Sequence, residues 1–519
     1  MPSSASIAGK QLVVYSTSGN RSYSPEDIGD FLKKFELYHA LRLIGVVSCE
    51  LASTQEAPVN DCVLPYLAMR LIESSNDYRK ETMTREDLRK AVDMYWGLPD
   101  PIANDENSTS CLLRFSSQFE YQRDLSNFLP RTLAIYRNLW SLVPEAVPID
   151  AAITSLTGLS IEELLVLCFA FSGQTNKTQG FFRTYPEDRL SDERERQFFS
   201  KEKQEAFVRW ISCDYKTFRQ MSKAELLKVH DPSFEKFRLN PLVTYPAVRP
   251  DKNPSPGSRQ VYIVPSLRLM LERVTKGLYF ELSNHFRERG RKNPFRTSFG
   301  YVFQTYVGEL LRNAIGAERV WPERQYDKQR KLTTDWIVRS ADRAILIEVK
   351  QSGMHLEAKS FGDLERVRKD LASSIAKAVH QLFNFEEAIH CGQFPELSDL
   401  HALKEIEHVV VTYDRTYFSN SILRQQVRVA LSKAGIELPD DFHWHVISID
   451  ELENLLGMNG VALEDLLRAK RLCPEDDMMD FGDYLGHKYP GMRSYNTYLS
   501  SISDAFFLPL QKGEDDDRE

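Results

Sequence analysis

Cysteine is scarce and scattered in this 519-residue chain. The seven present (Cys49, Cys62, Cys111, Cys168, Cys213, Cys391 and Cys473) form no C-x-x-C pair. That argues against a disulfide framework and a structural zinc knuckle, and fits a reducing, cytoplasmic setting. Long apolar runs are missing too. The longest, Leu164 to Phe171, is far short of the roughly 20 residues that span a bilayer. The opening MPSSASIAGKQLVVYS has no basic stretch followed by an apolar core, so neither a signal peptide nor a membrane partner is expected. There is no phosphate-binding glycine loop, because GQTNKTQG from Gly173 lacks the G-K-[ST] ending. No helicase or ATPase motif and no G-x-S-x-G elbow is found.

What is there suits packed globular domains: 42% of residues are hydrophobic and 27% charged. The length implies two to four compact units at roughly 100–200 residues each. The net charge of −8 is unevenly spread. Residues 268–380 hold 22 Lys and Arg against 14 Asp and Glu, whereas 381–519 hold 12 against 26. A basic middle in an acidic protein is either a polyanion-binding surface or a set of solvated helix faces.

Residues 1–245 read as mainly helical, with one early strand over Gln11–Ser16 and a loop-like stretch near 99–110 that splits the region in two. Ser24-Pro25-Glu26-Asp27 has the features of a helix start, and Ser160-x-x-Glu163 and Ser222-x-x-Glu225 read as capping boxes. Residues 246–258, rich in proline and polar residues, read as a linker. From 259 to 455 the pattern sharpens into a short strand at 261–264, helices over 266–289 and 298–315, and a hairpin of 334–338 with 344–349. A helix over 363–389, a strand at 408–413, a helix at 421–433 and a strand at 444–449 follow. This order predicts an α/β unit with a mixed sheet. Residues 456–510 read as a helical extension and 511–519 as an acidic disordered tail.

Chemistry concentrates on the hairpin. Side chains alternate along a strand, so Glu348 and Lys350 share a face, and the hairpin returns Asp335 beside Glu348. Two carboxylates and an ammonium then converge at one sheet end. Carboxylates and a backbone carbonyl suit Mg²⁺ or Mn²⁺, and such an ion with a nearby ammonium suits phosphodiester hydrolysis. Upstream, Glu309 lies on a helix whose apolar stripe predicts packing against that sheet. His443 and His445 put two imidazoles on one strand face, a possible metal pair with no third ligand evident from the sequence.

At these residues the chain resembles the PD-(D/E)XK nuclease superfamily over about residues 295–455. The family pattern is an acid on a helix (here Glu309), an aspartate on one hairpin strand (Asp335) and Glu-x-Lys on the next (Glu348, Lys350). Thr334 stands where the motif has its often-missing proline. Gln351 follows the lysine, as a polar residue often does in the family, and the next helix offers Lys377 and Gln381. The resemblance implies an α/β restriction-endonuclease-like mixed-sheet domain, preceded here by a mainly α-helical N-terminal region. It implies metal ligation by Asp335 and Glu348, catalytic roles for Glu309, Asp335, Glu348, Lys350 and Gln351, and Mg²⁺ or Mn²⁺ as cofactor. The implied substrate is nucleic acid, DNA favoured, with Arg287, Arg289, Arg291, Lys292, Lys377 and Gln381 at its surface. By analogy the role is bacterial restriction or anti-phage defence, with repair and transposition as alternatives. The rival reading is a catalytically silent nucleic-acid-binding or scaffold protein that keeps the fold. Residues 1–245 are expected to regulate, to select substrate, or to assemble the chain with itself or a partner.

Overall fold

The structure is a computed structural model. It describes residues 3–7, 10–14, 22–53, 63–99, 126–186, 193–229, 232–252, 259–288, 291–328, 330–351, 369–370, 374–392, 394–415, 420–458, 460–490 and 494–511. The expected loop over 100–110, the first part of the helix expected from Asp363, the tail from 512 and Arg289 therefore lie outside the described residues. The architecture is mixed helix and sheet. Among the described residues, no single helix is long and apolar enough to cross a membrane, and no disulfide joins the described cysteines Cys49, Cys168, Cys213, Cys391 and Cys473 to one another.

Local signals set many of the helix starts. Ser24 caps the helix Pro25–Leu32, accepting from the Asp27 backbone while Asp27 accepts from the Ser24 backbone. Ser160 and Glu163 do the same for Ile161–Thr178. The expected box at Ser222 does not form. Ser222 lies inside the helix Tyr215–Leu226, which is capped instead by Asp214. Once a helix is running, a serine within it has no orphan amide to satisfy.

Strands β1 (Ser3–Ile7) and β2 (Lys10–Val14) form an antiparallel pair. A four-stranded sheet joins β3 (Phe181–Arg183), β4 (Ser212–Asp214), β5 (Ala247–Arg249) and β6 (Val261–Ile263) in the order β3-β6-β5-β4. Strand β5 falls within the span read as a linker, and its Ala247 and Val248 are wholly buried. Pro246 and Pro250 bracket the strand, where a missing N–H does least harm to a ladder, and so they conceal it in the sequence.

The larger sheet has the order β11-β10-β9-β8-β7. Strands β7 (Val320–Pro322), β8 (Trp336–Ser340) and β9 (Arg343–Lys350) run antiparallel, while β9, β10 (Glu405–Thr412) and β11 (His445–Ser448) run parallel. Both faces are covered, which explains the nearly unbroken apolar runs of β9 and β10. On one face Ile345, Ile347, Val349, Val409 and Val411 join Phe299, Phe303 and Tyr306 of the helix Pro294–Ile315. On the other, Ala344, Leu346 and Val410 join Val379 and Leu382 of the helix Ile375–His390, and Leu423 and Val427 of Asn420–Lys433.

Helix Pro294–Ile315 approaches the sheet closely at Gly308, where any added Cβ would fall 2.0 Å from the Trp336 ring. The Trp336 indole N–H donates to the Gln304 carbonyl at 2.9 Å. This seats the strand that begins one residue after Asp335.

The core behind the Pro294–Ile315 helix does not stop at residues 246–258. It runs on into Leu133, Leu164, Phe171 and Phe207 of the amino-terminal region, and reaches Leu499 and Phe507 of the carboxyl-terminal helices. Burying such side chains contributes about 1.5–3 kcal/mol each. Residues 259–519 expressed alone should therefore be insoluble, or expand and bind a hydrophobic dye. A monodisperse fragment with native near-ultraviolet circular dichroism would show that the two regions fold independently.

Candidate active site

The register of the hairpin decides what meets at its end. Strand β8 pairs with β9 through Trp336↔Ile347, and one step further Asp335 comes opposite Glu348. Asp335 Oδ2 accepts from the Val349 backbone N–H at 2.6 Å. Lys350 Nζ donates to Glu348 Oε2, also at 2.6 Å. Because β8 also pairs with β7 through Pro322↔Trp336, the next residue, Glu323, lies beside Asp335, and its backbone N–H donates to the Asp335 carbonyl at 3.0 Å. Three carboxyls and one ammonium thus share the end of three strands.

The electrostatics of this group are unbalanced. Glu348 is only 2% exposed. Burial first, and the charge of Asp335 second, push its carboxyl up to about 7, against the pull of Lys350. Burial raises Asp335 as well, opposed by Lys350 and by the Val349 amide. Glu323 is raised by burial and by Asp335. One ammonium does not compensate the paired carboxyls of Glu348 and Asp335, with the exposed Glu323 beside them, and a bound cation would. The donors are all oxygen, the set that suits Mg²⁺ or Mn²⁺ rather than softer ions.

The remaining sequence candidates divide. Gln351, past the end of β9, turns to the opposite face, where its side chain lies 3.8 Å from the position of a Cβ at Gly300. Its buried Oε1 has no hydrogen-bond partner. Glu309 is not brought to the cluster. It sits on the helix covering the Ile347 face, whereas Glu348 and Lys350 alternate onto the other. Glu309 pairs with Arg312 at 3.0 Å, and after burial its charge is the other influence raising the Tyr498 phenol to about 12. Lys377 and Gln381 do not join either. They occupy the exposed side of the Ile375–His390 helix, while Ala378, Val379 and Leu382 face the sheet. Arg287, Arg291 and Lys292 are exposed, and Arg291 pairs with Glu288 at 3.0 Å. They lead into the amino end of the helix that touches Gln351, at the same end of the sheet as Glu348. Arg289 lies outside the described residues.

Sequence reasoning missed Glu323. The only signal for it was an acid directly after a three-residue strand, and that strand is legible only once its pairing with β8 is known. Comparison with protein-family models, curated proteins and solved structures finds no match to this chain.

The raised carboxyl of Glu348 has a consequence for stability. Between its ordinary value of 4.5 and about 7, the folded chain keeps a proton that the unfolded chain has released. This contribution therefore favours folding less as pH rises through that window, and the loss is complete above it. A cation bound among the ionised carboxylates offsets the loss. Mg²⁺ should raise Tm by more at pH 8 than at pH 5, and Glu348→Gln should flatten both the pH dependence and the Mg²⁺ effect. An equal Mg²⁺ shift at the two pH values in the parent chain would argue against a shared cation site.

Proposed function

We propose that this chain is a divalent-metal-dependent nuclease of the PD-(D/E)XK type, hydrolysing phosphodiester bonds, with DNA as the favoured substrate. The observation that carries the reading is the convergence of Asp335, Glu348 and Lys350 at one end of a mixed sheet. Its strand pattern, antiparallel from β7 to β9 and parallel from β9 to β11, is compatible with a restriction-endonuclease-like domain. Asp335 and Glu348, with Glu323 beside them and a backbone carbonyl, would hold Mg²⁺ or Mn²⁺. Such an ion, when bound, supplies Lewis acidity toward the phosphate and lowers the pKa of a water.

The protein's own groups do the rest. Asp335 is fixed by the Val349 amide, so its carboxylate does not swing with the side chain's own rotamer freedom. Lys350 keeps 21% of its side chain exposed, so solvent and a phosphate can reach the ammonium. From there it orients the attacking water and stabilises charge developing on the phosphate oxygens. Gln351, with an unmet acceptor, lies at the rim on the other face. The exposed cations Arg287, Arg291 and Lys292 supply sequence-independent attraction for the backbone of the substrate.

The test is a cleavage panel of linear, circular and single-stranded DNA and of RNA, in Mg²⁺, in Mn²⁺ and in EDTA. Asp335→Ala, Glu348→Ala and Lys350→Ala should each lower single-turnover cleavage by at least about 10²-fold, with far-ultraviolet circular dichroism unchanged. Cleavage by Lys350→Ala at the parental rate would refute this site. Binding without cleavage in every metal would favour the silent scaffold.

Binding itself should be salt-dependent. On duplex DNA the logarithm of affinity falls with log salt by about 0.9 for each phosphate contact. The triple variant Arg287→Ala, Arg291→Ala, Lys292→Ala should flatten that slope and weaken all sequences alike. A parental slope in the triple variant would make this segment plain solvated surface.

A further inference from the structure

On the opposite face of the same sheet lies a second constellation, independent of the nuclease reading. Strand β11 pairs with β10 in parallel through Val409↔His445, and two residues earlier His443 comes level with Glu407. That long-range register supplies the third ligand the sequence does not reveal. One ligand atom from each of Glu407, His443 and His445 lies within 4.8 Å of the others. His445 is wholly buried, yet neither of its ring nitrogens has a hydrogen-bond partner, and His443 Nδ1 is likewise buried and unmet. A buried polar atom left without a partner is destabilising. One unmet nitrogen from each imidazole, set against the Glu407 carboxylate, calls for an occupant.

We propose that Glu407, His443 and His445 bind a divalent transition-metal ion of the zinc class and pin edge strand β11 to β10. Two imidazoles and a carboxylate are a donor set for Zn²⁺ rather than Mg²⁺. The surroundings fit ligation. The Asp477 carboxylate takes both guanidinium nitrogens of Arg424 and accepts from His443 Nε2 at 2.9 Å, which leaves Nδ1 as the bare nitrogen. A carboxylate that orients a liganding imidazole in this way is a common device around zinc. Glu407 Oε1 is held by Arg471 at 2.8 Å, so its Oε2, 3.7 Å from His445 Nε2, is the oxygen left for the ion. The nearby ammonium of Lys470 donates to the carbonyls of Asp476, Asp477 and Met479 and does not compete for the ligands.

The full chain, stripped with EDTA and dialysed, would be incubated with excess ZnCl₂, passed through gel filtration, and its zinc measured by mass spectrometry. A chain carrying Asp335→Ala and Glu348→Ala removes the other cation site, and it should still retain about one zinc. In that background His443→Ala and Glu407→Gln should each weaken binding at least tenfold. Co²⁺ in place of Zn²⁺ should give visible absorption bands that the same two substitutions abolish. His443 is half-buried and Glu407→Gln keeps the side chain's volume, so both variants should fold, which circular dichroism checks. No zinc retained by the Asp335→Ala, Glu348→Ala chain, or equal retention after His443→Ala and Glu407→Gln, would overturn the site. The nuclease reading would stand in either case.

Discussion

Strand β9 is hydrogen-bonded along both edges, antiparallel to β8 and parallel to β10, and covered by helices on both faces. The residues at its carboxyl end cannot separate without unpicking the sheet. Glu348 is therefore held in a buried place beside Asp335, where a carboxylate pair is least welcome. A free side chain would rotate into water. Here the pairing of Trp336 with Ile347, and the seat of Trp336 against Gly308, remove that escape. The strain on the carboxyls is the consequence of a backbone arrangement whose stability comes from elsewhere.

That elsewhere includes the amino-terminal region. Arg131 donates to Glu453 through Nε at 2.6 Å, and Tyr306 of the helix behind the sheet donates to the same carboxylate oxygen at 2.6 Å. All three groups are buried. Losing one partner of such a pair leaves a stranded charge, at about 3–5 kcal/mol. With the apolar core that crosses residues 246–258, this contact makes the helical region a structural party to the sheet. The same helix that seats Trp336 thus packs against residues 1–245.

What the sequence showed and hid follows the range of the interactions. The hairpin was legible because alternation and turn are local, and so were the helix start at Ser24 and the capping box at Ser160. The box at Ser222 misled because the pattern carries no information on where a helix already began. Strand β5 was hidden by the prolines that flank it. Glu309 was placed on the right helix, but which side of the sheet that helix covers depends on the seating of Trp336 against Gly308, contacts between residues 28 apart in the chain. Glu323 and Glu407 were invisible for the same kind of reason. Each gains its neighbours only through a strand register that no local pattern fixes.

The charge asymmetry resolves on the same principle. Several arginines of the basic middle are engaged by acids of the acidic end: Arg319 by Glu464, Arg324 by Asp399, and Arg343 by Glu405 and Asp465. Others, Arg268, Arg273 and Arg312, pair within their own stretch. Such pairs are worth little to stability where they are exposed, but they cancel the long-range field that a polyanion would feel. The surplus over residues 268–380 therefore overstates the surface open to nucleic acid. What stays exposed includes Arg287 and Lys292 ahead of the Pro294–Ile315 helix and Arg291 with its exposed partner Glu288, but also Arg296, Lys328, Arg330, Lys331 and Lys377 elsewhere on the stretch. Of these, Arg287, Arg291 and Lys292 lead into the end of the sheet that holds Asp335, Glu348 and Lys350, so they are the ones placed to bring a phosphate backbone to those residues.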